Sequence, residues 1–263
     1  APREIGGLSF LSCHNCQMEI IGALIAGGAI GAVLGFVGAG GAMLSVPILM
    51  YGFGFGAKSA TTAALAIVFL AALSGAIPKA RKGQILYRDA LVIVGLGLTT
   101  NLGFATIADD LSDSFISTGF ALVLVLAGLS MLRNPKFSEQ TRMPVSVLIV
   151  ISLVIGSITG LFGIGGGFLA IPVLVLFFGT PQAIAAGTSL LIIALNSFIS
   201  FLGHHALWDS VEWHIPIFIG GAAVVVAQVA SHYSAKTTPD TLRKAFAYLL
   251  LAISVFTIAQ TWL

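Results

Sequence analysis

The chain has 263 residues, of which 57% are hydrophobic and 8% are charged, and its formal net charge is +2. Soluble domains carry about 25% charged residues, so this composition excludes an ordinary soluble domain and indicates a chain that folds in lipid. The basic residues form no long run, so a role in nucleic-acid binding is not expected.

Apolar runs along the chain predict an all-α polytopic membrane protein, because a helix needs about 20 apolar residues to cross the hydrocarbon core. The expected order is a polar segment outside the cytoplasm, a first transmembrane repeat, a cytoplasmic linker and a second repeat, over 1–19, 20–133, 134–144 and 145–263. Each repeat contains five predicted elements, at 20–36, 42–53, 59–77, 90–107 and 115–132, then 145–162, 168–178, 184–202, 215–231 and 242–263.

A glycine-rich motif at 35–49 occurs again at 160–174, with seven of fifteen positions identical. Each copy has a proline at its thirteenth position, Pro47 or Pro172. Glycine permits backbone angles that other residues resist, and proline removes a helical hydrogen bond, so each motif predicts a broken helix. The element that follows each break is short, and the sequence therefore predicts one short or re-entrant helix in each half.

The repeat extends past the motif, and the distribution of charge indicates that the two halves are inverted. Three loops on one face carry ten of the twelve basic residues, whereas two loops on the other face, at 108–114 and 203–214, carry acidic residues and no lysine or arginine. Basic loops of membrane proteins lie in the cytoplasm. We therefore expect a multi-pass protein of the cytoplasmic (inner) membrane with both termini outside. The halves are expected to move against each other during transport.

The two glycine breaks are the first candidate site. A helix N-terminus presents unpaired N–H groups and a partial positive charge, which attract anions. The sequence shows no membrane-buried cation near the breaks, so these N–H groups are the expected anion ligands. The alternative is that the glycines only allow close helix packing. The candidates are Gly38, Gly40, Gly41, Gly163, Gly165 and Gly166.

Neutral polar residues within the predicted spans are the second set of candidates. They could line the route of an anion, or their hydroxyl groups could bond back to their own helices. The candidates are Thr61, Thr62, Thr188, Ser189 and Asn196, which are expected to surround one anion between the two breaks.

Histidines and basic residues lie near the ends of several spans. His204, His205 and His232 could form gates or carry protons, or they could simply be polar residues at the membrane interface. Lys79, Arg81 and Lys82 could attract an anion at the cytoplasmic mouth, or only set the orientation of the chain.

Other chemistry receives little support from the sequence. No acidic residue lies deep within a predicted span, and no catalytic or nucleotide-binding motif is present, so neither an enzyme nor an ATP-driven pump is predicted. No metal site and no cofactor are expected. Cys13 and Cys16 form a single CxxC pair that could be a disulfide, a redox pair or half of a metal site.

At the doubled motif the chain resembles the TauE/SafE family of sulfite exporters. The residues that carry this resemblance are Gly38, Gly40, Gly41, Pro47 and 60–62, then Gly163, Gly165, Gly166, Gly167, Pro172 and 187–189. The resemblance implies a secondary transporter for a sulfur-containing anion such as sulfite, thiosulfate or an organosulfonate like sulfoacetate.

The leading hypothesis is therefore alternating-access transport of a small sulfur-containing anion. A coupling ion, H⁺ or Na⁺, and a homodimer are compatible with it and are left open by the sequence. The alternatives are a cation or metal carrier that uses carbonyls freed at the breaks, and a membrane redox or scaffold component that works through Cys13 and Cys16.

Overall fold

The computed structural model describes residues 6–108, 113–132, 145–162, 167–176, 179–234 and 237–262. Within these ranges the chain is helical and contains no strand. Five helices there are long and apolar enough to cross a membrane. The predicted all-α polytopic membrane protein is thus confirmed.

All ten predicted elements are present as α-helices. The first half contains α1 (Gly6–Val37), α2 (Gly41–Pro47), α3 (Ala57–Arg81), α4 (Tyr87–Ala108) and α5 (Asp113–Leu132). The second half contains α6 (Val145–Phe162), α7 (Gly167–Leu176), α8 (Gln182–Gly203), α9 (His214–Ser234) and α10 (Pro239–Trp262). A π-helix (Ile48–Gly52) extends α2, and a 3₁₀-helix (His205–Ser210) that was not predicted follows α8.

Helix α1 differs from its prediction, because it begins at Gly6 and not at residue 20. The apolar span starts only at Met18. A helix that has already formed can extend into a polar segment, since elongation avoids the unfavourable nucleation step. Cys13 and Cys16 therefore lie on this helical extension and not in an irregular segment.

The first glycine break reverses the direction of the chain. Gly38 and Gly40 have φ angles of 88° and 91°, in the left-handed region that favours glycine. After the break, Gly41 lies beside the side chain of Leu34, and Phe53 lies beside Gly22. The short helix α2 and its π-helical extension therefore run antiparallel to α1, back towards the level at which α1 entered the bundle.

Helices α1 and α9 lie in parallel with their backbones in contact. Gly27, Gly31 and Gly35 lie on one face of α1, four residues apart, and α9 presents Ala223 and Ala227 to that face. A Cβ atom at Gly31 would lie 2.9 Å from the Cα atom of Ala223. Small residues at this spacing let two membrane helices approach closely. Because α1 and α9 come from different halves, this contact joins the two repeats.

Helices α3 and α8 form the central pair of the bundle and run antiparallel. Phe69 of α3 meets Phe198 of α8, with ring centroids 4.9 Å apart. Thr62 contacts His204 at one end of the pair, and the stem of Lys79 lies beside Gly187 at the other. We call these the His204 end and the Lys79 end of the bundle.

The other pair of equivalent helices, α5 and α10, is also antiparallel. Gly128 lies against Leu251, whereas the hydroxyl of Ser254 donates to the carbonyl of Ala121 at 3.1 Å. Helices α4 and α6 also pack together, and Gly97 contacts Gly156 there. This contact corresponds to that of α9 with α1 once the two halves are exchanged.

Candidate functional site

The first glycine break is buried and close-packed. A Cβ atom at Gly38 would lie 2.5 Å from the Cβ atom of Ala186, and one at Gly40 would lie 2.9 Å from the side chain of Leu249. Gly41 packs in the same way against Leu34. The positions that side chains would occupy are thus filled by other helices, so close packing accounts for the absence of side chains at all three glycines.

Lys79 lies beside this break and is buried. Its side chain is 1% exposed, and its Nζ atom donates to Ser234 Oγ at 3.3 Å. The hydroxyl of Ser234 in turn donates to the backbone carbonyl of Phe36 at 2.8 Å, two residues before Gly38. One hydroxyl group therefore connects the Lys79 ammonium to the backbone at the end of α1.

The N-terminal turns of α8 complete the Lys79 end. Gly187 packs against the backbone carbonyl of Gln84 and lies next to Ala186, which contacts Gly38. The hydroxyl of Thr188 accepts a hydrogen bond from the backbone N–H of Leu86 at 3.0 Å and donates to its own helix at Ile184. The segment after α3 is thereby fastened to α8.

Two amide side chains at this end have polar atoms without a partner. Both side-chain polar atoms of Gln182, which is 1% exposed, lack a hydrogen bond within the part of the chain that the structure describes. The same holds for Oε1 of Gln84. Buried amides normally find partners, so these atoms have capacity for a ligand or for water.

Thr62 contacts the segment after α8 at the His204 end. Its hydroxyl lies 3.0 Å from Nδ1 of His204 and 2.9 Å from the carbonyl of Lys58. Nearby, the hydroxyl of Ser59 donates to the carbonyl of Ser210 at 3.2 Å. Hydrogen bonds thus hold the segment after α8 against α3. At the other end, a hydrogen bond holds the segment after α3 against α8.

The two threonines that the sequence placed around one anion lie far apart. Thr62 is level with His204, and Thr188 follows the residue that packs against Lys79. Lys79 follows Thr62 by 17 positions, which correspond to about 25 Å of helix at 1.5 Å per residue. The structure therefore does not bring Thr62 and Thr188 together, because equivalent positions lie at opposite ends of an antiparallel pair.

The other predicted residues of α3 and α8 have different environments. Thr61 donates to the carbonyl of Ala57 in its own helix at 2.9 Å. Ser189 is fully buried, and Asn196 is partly buried. Gln182, Ser189 and Asn196 are spaced seven residues apart and so share one face of α8.

The remaining predicted residues lie at the ends of helices or outside the described residues. His205 is exposed, with Nδ1 3.2 Å from the carbonyl of Leu202. His232 is exposed at the Lys79 end, and its ring meets the edge of Tyr233. The second copy of the break, with Gly163, Gly165 and Gly166, lies outside the described residues.

Comparison with known proteins gives the family. The family model described as Sulfite exporter TauE/SafE matches residues 23–257. This chain belongs to the TauE/SafE sulfite exporter family. The resemblance seen in the sequence is thus confirmed, and the match includes both glycine breaks, both central helices and Lys79.

Curated relatives of this TauE/SafE chain are named as membrane transporters. A probable membrane transporter protein of Xylella fastidiosa (strain 9a5c) is 28% identical over 255 residues, which cover 93% of this chain and 97% of the relative. The probable membrane transporter protein YunE of Bacillus subtilis (strain 168) is 26% identical over 223 residues, covering 73% of this chain and 81% of the relative. No solved structure matches this chain significantly.

Two features of the TauE/SafE chain were missed in the sequence. Lys79 was grouped with Arg81 and Lys82, but the structure buries Lys79 and exposes the other two. The statement that no buried cation lies near the breaks was therefore wrong. The burial of Lys79 could have been suspected from the position of this residue within the helical period of α3. The glycines of α1 at 27, 31 and 35 were also overlooked, although their spacing alone predicts a helix contact.

Proposed function

We propose that this TauE/SafE protein is a secondary transporter that moves a small sulfur-containing anion across the cytoplasmic membrane. Sulfite, thiosulfate and organosulfonates such as sulfoacetate are the proposed substrates. The family supports transport, and its description as a sulfite exporter supports a sulfur-containing substrate. The buried Lys79 beside the first glycine break supports an anionic substrate, because a buried cation attracts anions and repels cations.

The proposed mechanism rests on two hydrogen-bonded contacts, one at each end of the central helices. Thr62 contacts His204 at one end, and Thr188 contacts the backbone of Leu86 at the other. Each hydrogen bond is worth about 1 kcal/mol, so one end can open while the other stays closed. We propose that alternating access consists of breaking these two contacts in turn.

The anion is proposed to bind near the breaks and to pass along one face of α8. Backbone N–H groups at the breaks supply donors, and Ser189 and Asn196 supply polar groups between the two ends. Thr61, Thr62 and Thr188 then act close to the ends of the route. The proposed break residues are Gly38, Gly40, Gly41, Gly163, Gly165 and Gly166.

The orientation in the membrane forms part of the proposal. We place the Lys79 end in the cytoplasm because basic loops follow α3 and α9 there. The antiparallel course of α3 with α8 and of α5 with α10 supports inverted halves. The moving bodies would each contain helices of both repeats, because α1 is packed tightly onto α9. H⁺ or Na⁺ would supply the driving force, with His204, His205 and His232 as candidate proton carriers.

A direct test measures uptake into proteoliposomes of labelled sulfite, thiosulfate, sulfoacetate and sulfate, under an imposed H⁺ or Na⁺ gradient. We expect uptake of at least one sulfur-containing anion, and loss of most of it in a Thr188→Val, Asn196→Leu double variant. Thr99→Val is the matched control, because its exposed hydroxyl only bonds back to Leu96. The proposal fails if no sulfur anion is taken up, or if the double variant transports as the wild type does.

A further inference from the structure

We propose that the Lys79 ammonium binds the transported anion directly and selects it by its negative charge. This inference rests on the proposed function, since it names the charged ligand of the same transport site. Lys79 would hold the anion where helices α1, α3, α8 and α9 meet, next to the first glycine break.

The first argument is that the charge of Lys79 has no counterpart among the described residues. Lys79 and Arg243 are the two buried basic side chains among the described residues. Arg243 has Asp240 at 2.5 Å, whereas no described carboxylate lies within ion-pair distance of Lys79. A buried charge without a partner is strongly unfavourable, and such residues inside membranes mark transport routes. A bound anion would supply the missing charge.

The second argument concerns hydrogen bonds. An ammonium group has three N–H donors. Within the described part of the chain, Lys79 uses one of them, on Ser234 Oγ at 3.3 Å. Two donors remain for a ligand, and an oxyanion has several acceptor oxygens. Lys79 therefore has hydrogen-bonding capacity left for a ligand in the arrangement that the structure shows.

The third argument is position. The stem of Lys79 packs against Gly187, and the adjacent residue Ala186 packs against Gly38. The ammonium also reaches the end of α1 through Ser234 and the carbonyl of Phe36. Two independent contacts therefore place Lys79 beside the first glycine break, where the sequence predicted that the anion binds.

The fourth argument is the unsatisfied amide of Gln182, which is five residues before Gly187 on α8. Both of its polar atoms are buried without a described partner. The N–H groups of a glutamine amide donate to an oxyanion as readily as to a carbonyl. The Lys79 end therefore holds a second polar group whose bonding capacity a ligand would fill.

A purely structural role does not account for these features. The ends of α1, α3 and α9 bring partial negative charge close to Lys79, which stabilises a cation there. That role needs only the bond through Ser234, and it leaves the other two donors and Gln182 unexplained. It also predicts no preference between a charged and a neutral ligand, so the two roles can be separated by experiment.

The test compares two small inhibitors of similar shape, methanesulfonate and dimethyl sulfone, which differ in charge. Uptake of the best sulfur anion is measured in proteoliposomes of the wild type, Lys79→Gln, Lys79→Arg and Lys82→Gln. Lys82→Gln removes the same charge from an exposed side chain at the same end of the bundle. We expect methanesulfonate to inhibit the wild type and Lys82→Gln, and dimethyl sulfone to inhibit neither.

Lys79→Gln is expected to lower uptake at limiting substrate by about tenfold or more, as loss of a buried charge partner does. It should also abolish the preference for methanesulfonate. Lys79→Arg should keep the preference with weaker binding, because it keeps the charge and changes its geometry. If Lys79→Gln does not assemble as a monodisperse protein, Lys79→Arg carries the test, and loss of its preference for methanesulfonate overturns the inference.

The outcomes separate this inference from the proposed function. Sulfur-anion uptake that is unchanged in Lys79→Gln, with methanesulfonate still preferred, overturns the role of Lys79 and leaves the transporter standing. If the wild type takes up no sulfur anion, thermal stabilisation by acetate against acetamide replaces the inhibition assay. A preference for acetate that disappears in Lys79→Gln then supports the anion site while the proposed sulfur substrate fails. Equal stabilisation by both compounds overturns the site.

Discussion

The Lys79 end and the His204 end are built alike but differ in chemistry. In each, a threonine of one central helix holds the segment that follows the other central helix. The Lys79 end adds a buried cation, a left-handed glycine break and an unsatisfied amide. The His204 end instead has Trp208 stacked on Phe201, with exposed residues around it.

This difference shows that a repeat can keep its fold while the chemistry of its ends diverges. At the offset of 126 residues that aligns Thr62 with Thr188, the residue equivalent to Lys79 is His205, which is exposed. One end thus buries a basic side chain, and the other exposes a histidine at the equivalent position. Substitutions at both ends test whether the two ends also differ in function.

The largest effect is expected for Gly38→Ala at the Lys79 end. The new Cβ atom would meet Ala186 at 2.5 Å, and φ of 88° is unfavourable for alanine. We expect the free energy of unfolding to fall by about 2–4 kcal/mol, with loss of transport. Gly28→Ala is the matched control, because nothing lies within 4 Å of its Cβ position. A thermal unfolding midpoint in detergent that is equal for both variants contradicts this packing.

Ser234→Ala should have the next largest effect. It removes the link between Lys79 and the carbonyl of Phe36, so both groups lose this hydrogen-bond partner. We expect a loss of about 1–3 kcal/mol in stability and a clear loss of uptake.

Ser254→Ala is the matched control for Ser234→Ala, because its buried hydroxyl also donates to a carbonyl of another helix, that of Ala121. It lies in the α5–α10 pair and should affect stability without a comparable loss of uptake. If the two variants lose uptake equally after correction for folded protein, the Lys79 end has no special role.

A smaller effect is expected for Thr62→Val, which breaks the contact with His204 at 3.0 Å. Loss of about 1 kcal/mol corresponds to roughly fivefold more opening of the His204 end. The measurement is the labelling rate of Ala60→Cys, which is fully buried at the His204 end, by a membrane-impermeant maleimide in a chain without Cys13 and Cys16. Thr188→Val in the same background should leave this rate unchanged or lower it. Faster labelling in both variants would mean that the ends do not open separately.

The smallest effect is expected for Cys13→Ser with Cys16→Ser. Both residues lie on the extension of α1 ahead of the apolar span, which begins at Met18. We expect uptake to stay within about twofold of the wild type, because both residues lie ahead of the apolar span and substitutions outside special structural features usually have little effect. Loss of uptake that dithiothreitol reproduces in the wild type would instead favour the redox alternative.

Most of the fold could be predicted from the sequence. Hydrophobic runs and the two glycine breaks located all ten elements, because lipid imposes length and composition on a helix directly. The burial of Lys79 could not be read from the sequence in the same way. Arg81 and Lys82 follow it closely and suggest an exposed basic cluster, whereas the helical period turns Lys79 alone towards α8 and α9.

The predicted inversion of the two halves already implied that Thr62 and Thr188 lie far apart, although the sequence analysis placed them around one anion. If two halves are inverted, equivalent residues lie at opposite depths unless they are near the midplane. Thr62 is close to the start of α3 and Thr188 close to the start of α8, so inversion already places them at opposite ends. Motif equivalence was mistaken for spatial proximity.

The close contact between α1 and α9 has a consequence for how the protein is made. Gly31 of α1 meets Ala223 of α9, which follows it by 192 positions in the chain. During synthesis α1 enters the bilayer long before its partner exists, and its row of small residues must face lipid or other helices until then. Assembly of the bundle is therefore completed late, and a chain that stops before α9 would leave the first helix of the protein without its main support.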